Sequence, residues 1–261
     1  MNGSWFTTLT VDVTGPVTTL TLNRPERRNA IGPLMVNELL HALDIAFTAP
    51  EIRCVVLTGA GAAFCAGGDF AQLSSAVEVS PLPMKGDYAD LLLCLMKAPK
   101  PVIARVQGHA MGGGLGLVAA CTFAIASLDA KLGTPEIDVG LFPMMIMAAL
   151  ARLVPRRKLL DMMLLGQRLS ASEAAAIGLV SKAVPPGDLD TTVQELARTL
   201  ASKSPAAMRL GLAAFAEQDD LALEQALPML RGKLGEVLAT NDAAEGLAAF
   251  FEKRAPKWTG R

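Results

Sequence analysis

Two glycine-rich stretches are the part of this chain best suited to chemistry. One is Ala63-Phe64-Cys65-Ala66-Gly67-Gly68-Asp69-Phe70; the other is Gly108-His109-Ala110-Met111-Gly112-Gly113-Gly114-Leu115-Gly116. Each follows an apolar run that reads as a strand. Consecutive glycines let the backbone approach a ligand closely and turn N–H groups toward it. Where such a run opens a helix, the unpaired amides and the helix dipole favour developing negative charge. Two such amides meeting at one oxygen make an oxyanion hole, and each donor lowers a transition state by a few kcal/mol. The same runs also fit plain tight turns at strand ends, and the residues by themselves leave both readings open. A dinucleotide or phosphate loop does not fit. Residues 112–117 lack G-x-G-x-x-G in the right setting, and no Gly-Lys-Ser/Thr follows.

Other residues carry weaker signals. His109 reads as a packing residue rather than a catalytic one, and Asp69 as the cap of a turn or helix start. The stretch Pro143-Met144-Met145-Ile146-Met147 is apolar and adaptable, and fits pocket lining and helix packing equally. Four cysteines without CxxC spacing read as reduced, buried thiols, and two isolated histidines are too few for a usual zinc site. With 24 basic and 25 acidic residues the chain has no electrostatic footprint for nucleic acid or an anionic membrane. The start MNGSWFTTLT has neither the basic nor the apolar region of a secretory signal. No uninterrupted apolar run of about 18 residues marks a membrane span. A cytoplasmic location is the expectation.

The elements that would position these residues follow from hydrophobic pattern. Residues 5–13 and 17–23, around Thr14-Gly15-Pro16, read as a β-hairpin. Pro33 opens an amphipathic helix over 33–48. The run 53–58 reads as a buried parallel strand ending at Gly59. A polar, proline-broken insertion over roughly 74–86 reads as flexible, followed by a helix at 87–97 and a strand at 102–106. The apolar helix after the second glycine run precedes short strands near 122–127 and 130–133. Beyond residue 144 the pattern is helical nearly throughout. The outline is an α/β core over 1–195 and a helical region over 196–261.

In order and spacing, these segments resemble the enoyl-CoA hydratase/isomerase (crotonase) superfamily over nearly the whole chain. The resemblance rests on Leu22-Asn23-Arg24-Pro25-Glu26-Arg27-Arg28-Asn29-Ala30, the loop from Phe64 to Asp69, and Lys100-Pro101-Val102-Ile103-Ala104 leading into Gly108 to Gly114. It continues through Ala130-Lys131-Leu132-Gly133-Thr134-Pro135-Glu136-Ile137, Ala174 to Val180, and Glu245-Gly246 to Lys253-Arg254. It implies a spiral of repeated β-β-α units followed by helices that build a homotrimer, commonly paired into a hexamer. It also implies an acyl-CoA thioester substrate, with coenzyme A part of the substrate and no metal or redox cofactor.

Position by position, the resemblance makes the N–H groups of Gly68 and Gly113 the oxyanion donors and Glu136 the acid–base carboxylate. Backbone around Arg24, Arg27 and Arg28, with Ala66 and Asp69, would hold the nucleotide end of coenzyme A. Phe250 and Lys253 would reach coenzyme A bound in a neighbouring subunit. Gly116 stands where the family's hydratases carry a second glutamate; either a bulkier acyl group or close packing would explain it. With one carboxylate, simple hydration is disfavoured, and a Δ3,Δ2-enoyl-CoA isomerase-type proton shift by Glu136 is the leading expectation. Gly116 and Met144, neither acidic, disfavour dienoyl-CoA isomerisation, and Met144 disfavours dehalogenation. Asp138 would share a face with Glu136 on extended backbone. The alternatives are a hydratase using a single glutamate, or an acyl-CoA binding protein with impaired catalysis. RNA binding is set aside, since the helix at 33–48 has no Lys or Arg.

Overall fold

The computed structural model describes residues 5–69 and 81–261. Its frame is a six-stranded sheet built from β1 (Leu9–Thr14), β2 (Val17–Leu22), β3 (Cys54–Gly59), β5 (Val102–Val106), β7 (Phe123–Ser127) and β10 (Lys182–Val184), in that spatial order. The hairpin β1–β2 is antiparallel and closes between Thr14 and Val17, with Gly15 at φ +57 in the turn. All later pairings in this sheet are parallel. Side chains alternate across it. Val55, Leu57, Val102 and Ala104 join the main core beneath α1 (Pro33–Thr48), whereas Cys54, Val56, Ile103 and Ile125 pack with Leu189 and Val193 of α7 (Leu189–Ala201). Both faces are buried, which is why β3 reads as a continuous apolar run rather than an alternating one.

A second, four-stranded sheet was not evident from the sequence. It consists of β4 (Ala63–Cys65), β6 (His109–Met111), β8 (Lys131–Gly133) and β9 (Arg168–Ser170), the first three parallel and the last antiparallel. Its strands are three residues each, too short to show a period. The fold is therefore a spiral. One long strand enters the large sheet, one short strand the small sheet, and a helix follows. Thus β3 and β4 lead to α2 (Tyr88–Met96), β5 and β6 to α3 (Gly113–Ala120), and β7 and β8 to α4 (Met144–Leu150). The helical reading beyond residue 144 needs two corrections, at β9 and β10. The rest is α5 (Arg156–Leu165), α6 (Ala171–Ala176), α7, α8 (Pro205–Gln218), α9 (Leu223–Leu238) and α10 (Asn241–Glu252).

Most of the insertion expected to be flexible, 74–80, lies outside the described residues. Its remainder is tied down. Asn37 of α1 donates to the carbonyls of Leu82 and Pro83 and accepts from Lys85 N–H, His41 bonds the Pro83 carbonyl at 2.9 Å, and Lys85 pairs with Asp44. No helix among the described residues is long and apolar enough to cross a membrane.

The C-terminus is fastened by one buried carboxylate. Asp242 is 1% exposed. Its Oδ1 accepts from Thr259 N–H at 2.7 Å, Thr259 Oγ1 at 3.1 Å and Gly260 N–H at 3.0 Å; its Oδ2 accepts from Ser204 Oγ at 2.8 Å. Burial alone would raise this carboxyl, but the donors from Thr259, Ser204, Gly260 and Ala206 outweigh it and hold the group below the ordinary Asp value. A depressed carboxyl contributes stability above its unfolded pKa, near 3.9, which is lost as pH falls through the folded value. Asp242→Ala should lower the free energy of unfolding by about 1–3 kcal/mol at neutral pH, because buried and part-buried donors lose their acceptor. Denaturant titrations should show the gap to the parent protein narrowing below about pH 4.

Candidate functional site

Three of the sequence-derived candidates lie at the carboxyl ends of neighbouring parallel strands. Ala66-Gly67-Gly68 follows β4, Gly112-Gly113 lies where β6 passes into α3, and Glu136 follows β8. Adjacent strands run about 4.8 Å apart, so their ends deliver these turns to one place. The turns press against each other. A Cβ on Gly67 would lie 3.2 Å from the Met111 carbonyl oxygen and 3.7 Å from Gly113 N, and one on Gly114 only 2.5 Å from the Cys65 carbonyl oxygen. Glycine is required at Gly112 for two reasons. Its φ is +50, and a Cβ there would meet Glu136 Oε1 at 2.9 Å.

The two candidate donors are left open by the backbone pattern. Gly68 forms a parallel bridge with Ile31, in which Gly67 C=O accepts from Ile31 N–H and Asp69 N–H donates to Ile31 C=O, both at 2.8 Å. The Gly68 N–H therefore points to the other edge. Gly113 is the first residue of α3, whose leading N–H groups have no acceptor within the helix. Neither N–H has a partner among the described residues.

Both glycines and Glu136 line one cavity of about 490 Å³. Its walls are otherwise largely apolar, with Ile31 and Val36 on one side and Phe142 and Ile146 on another; Met84, Met144 and Met145, all exposed, stand around it. The methionine stretch thus contributes to both pocket and packing. Glu136 sits on a short 3-10 turn, Pro135–Val139. Its Oε2 is buried without a hydrogen-bond partner among the described residues. Burial pushes its carboxyl above the ordinary value, opposed in part by its own backbone N–H. Asp69 and Asp87 also border the cavity, but both carboxylates are engaged. Asp69 pairs with Arg24 at 3.3 Å and Arg27 at 2.9 Å, and Asp87 caps α2 by accepting from Ala89 and Asp90 N–H.

Several expectations need correction. Asp69 pairs with Arg24 and Arg27, and the turn or helix start it was expected to cap lies outside the described residues. Asp138 does not share a face with Glu136, because the backbone there is helical and residues two apart on a 3-10 turn diverge. Its Oδ1 lies 2.9 Å from where a Cβ on Gly166 would sit, beside the end of α5. His109 is exposed rather than packed, and its Nδ1 accepts from Lys131 N–H at 3.1 Å. Gly116 does not border the cavity. A Cβ there would meet Ile146 Cγ2 at 2.2 Å and the Tyr88 hydroxyl at 2.5 Å, so close packing accounts for the glycine.

The segment expected to hold a nucleotide is clasped to the first glycine loop. Buried Asn29 accepts from Arg24 N–H and donates to the carbonyls of Ala60, Ala63 and Phe64. Arg28, at φ +50, receives the Ala66 N–H on its carbonyl at 3.0 Å, and its side chain is exposed. Phe250 (77% exposed) and Lys253 lie at the end of α10, and their own chain does not bring them to the cavity. Sequence reasoning missed Asn29 as a clasp and Tyr88 as cavity wall. The Asp87-x-x-Asp90 spacing marks the start of α2, but nothing local says where Tyr88 points.

Comparison with known proteins bears on the whole chain. A family model described as enoyl-CoA hydratase/isomerase matches residues 12–261. The (E)-benzylidenesuccinyl-CoA hydratase of Thauera aromatica is 35% identical, over 97% of this chain and 99% of its own. The crystal structure of an enoyl-CoA hydratase from Mycobacterium smegmatis superposes with a TM-score of 0.89 at 34% identity, covering 97% of this chain and 99% of that one. One from Bacillus anthracis gives 0.89 at 32% identity, over 98% and 100%.

The packing at Gly116 is directly testable. Gly116→Ala should cost about 1–3 kcal/mol through overpacking. In an Ile146→Ala background the added cost should shrink by at least about 0.5 kcal/mol, measured as a double-mutant cycle by chemical denaturation.

Proposed function

Because the chain belongs to the enoyl-CoA hydratase/isomerase family, we propose that it shifts the double bond of a 3-enoyl-CoA thioester to the 2-position, with Glu136 carrying the proton. The observation that carries this reading is the buried, unpartnered Oε2 of Glu136 in the cavity shared with Gly68 and Gly113. The ionised carboxylate takes a proton from C2. The C–H electron pair then moves toward the carbonyl, and negative charge collects on the thioester oxygen. The N–H groups of Gly68 and Gly113 stabilise that oxygen without reorganising. As the charge returns, C4 takes the proton from Glu136, and the double bond now lies between C2 and C3. Proton and electrons balance with no co-reactant.

The rest of the expected assignment belongs to the same proposal. The clasped backbone around Arg24, Arg27, Arg28 and Ala66 would receive coenzyme A, with Phe250 and Lys253 supplied by a neighbouring copy. The exposed Leu223, Leu227, Leu234 and Leu238 form a stripe along α9, which supports assembly of copies into a trimer or a pair of trimers. Hydration is the second reading, favoured by the names of the relatives, and it would require Glu136 alone to hold and activate water.

Two measurements test the leading reading. Purified protein should convert 3-hexenoyl-CoA to the conjugated thioester faster than it hydrates crotonyl-CoA. Glu136→Gln should lose about 10²–10⁴-fold in kcat/KM while still binding thioester. Tight binding of both thioesters with turnover of neither would favour a binding protein and sink the enzymology. The second measurement is a pH profile. Since the base is the ionised carboxylate and burial raises its pKa, kcat/KM should climb with pH along a limb above the ordinary carboxylate range. That limb should vanish in Glu136→Gln.

A further inference from the structure

Tyr88 is the only tyrosine in the chain, and it occupies an unusual place. It is the first residue of α2, fixed by the Asp87–Asp90 capping box. Its hydroxyl donates to the Gly113 carbonyl at 2.5 Å, and its side chain borders the cavity that holds Glu136. The same hydroxyl lies 2.5 Å from where a Cβ on Gly116 would sit, with Ile146 Cγ2 at 2.2 Å from that point. Tyr88 and Ile146 together thus fill the position that a longer side chain at residue 116 would need in order to enter the cavity.

We propose that Tyr88 is a specificity-determining residue: with Ile146 it takes the place beside Gly116 from which a second acid–base group would act, so that a proton lifted from the substrate has no carrier but Glu136. This rests on the proton-shuttle reading and deepens it. The phenol cannot serve as that second group. Its proton is committed to the Gly113 carbonyl, and burial, followed by the neighbouring Cys65 and Glu136 side chains, holds its pKa well above the ordinary tyrosine value. It stays a neutral wall. By binding the first carbonyl of α3, the hydroxyl also steadies the turn that presents the Gly113 N–H.

The test follows a label. With 3-hexenoyl-CoA deuterated at C2 and turned over in ordinary water, the wild type should deliver a measurable share of the label to C4. Tyr88→Ala opens the space beside Gly116 to water, and that share should fall several-fold as solvent carries the proton away. Tyr88→Phe keeps the wall but loses the bond to Gly113; label transfer should persist while kcat drops about tenfold. Unchanged label transfer in Tyr88→Ala, in a wild type that isomerises, overturns the role of Tyr88 alone. Failure of the wild type to isomerise overturns both readings. Should Tyr88→Ala not fold, the single tyrosine gives a second measurement. Saturated butanoyl-CoA should shift its ultraviolet difference spectrum, a signal absent in Tyr88→Phe. No shift in the wild type overturns the proposal.

Discussion

The candidate site depends on two main-chain N–H groups that have no partner among the described residues, while the backbone around them is tied down. An open amide is easily satisfied by a neighbouring carbonyl or by a shift of a few tenths of an ångström, and here that shift is blocked. Ile31 brackets Gly68 with hydrogen bonds on both sides, so that the Gly68 N–H has only one direction in which to point. Asn29 holds the strand beneath through the carbonyls of Ala60, Ala63 and Phe64. On the second turn, Gly112 N–H bonds the Gly133 carbonyl and Gly116 N–H the Gly112 carbonyl, which fixes the entry into α3 and leaves Gly113 between them. Pre-set donors of this kind would need no rearrangement if negative charge arrived on a bound oxygen.

Close packing of backbone on backbone gives the arrangement its rigidity. Gly114 lies against the Cys65 carbonyl and Gly108 against the Ala62 carbonyl, at separations that admit no Cβ. These glycines serve contact rather than turn geometry, since neither has a positive φ. The small sheet can therefore bring three strand ends together over only three residues each. Burial that makes the region rigid also sets its electrostatics: the Cys65 thiol is pushed up to about 12 by desolvation, and Glu136 is raised by the same cause.

Much of the large sheet and nearly all the helices were legible because their patterns are long. The sixteen-residue helix from Pro33 to Thr48 announces itself by proline at its first position and by its apolar stripe. The hairpin, the buried runs at Cys54 and Val102, and the motif order that resembled a known family were equally plain. Of the small sheet only the strand near 130–133 was legible, because a three-residue strand such as Ala63–Cys65 has no periodicity and exists only through its partners. Within the site, glycine spacing and Glu136 were visible as local signals. The roles of Asp69, Asn29 and Tyr88 were not, since each acts through residues about 25 to 45 positions away. Asp138 was set beside Glu136 only on condition of extended backbone, and the chain turns helically there instead.

The attachment of residues 82–85 to α1 ties the width of the cavity to a helix that contributes only apolar wall to it, at Pro33 and Val36. Asn37, His41 and Asp44 recur at intervals of four and three, so they form one ladder along one side of α1, and the chain that leads to Met84, Gly86 and Tyr88 hangs from it rung by rung. α1 acts as a ruler. Changing the spacing of its rungs alters where Met84 and Gly86 stand against the cavity, so the cavity's shape can be retuned without touching the glycines or Glu136.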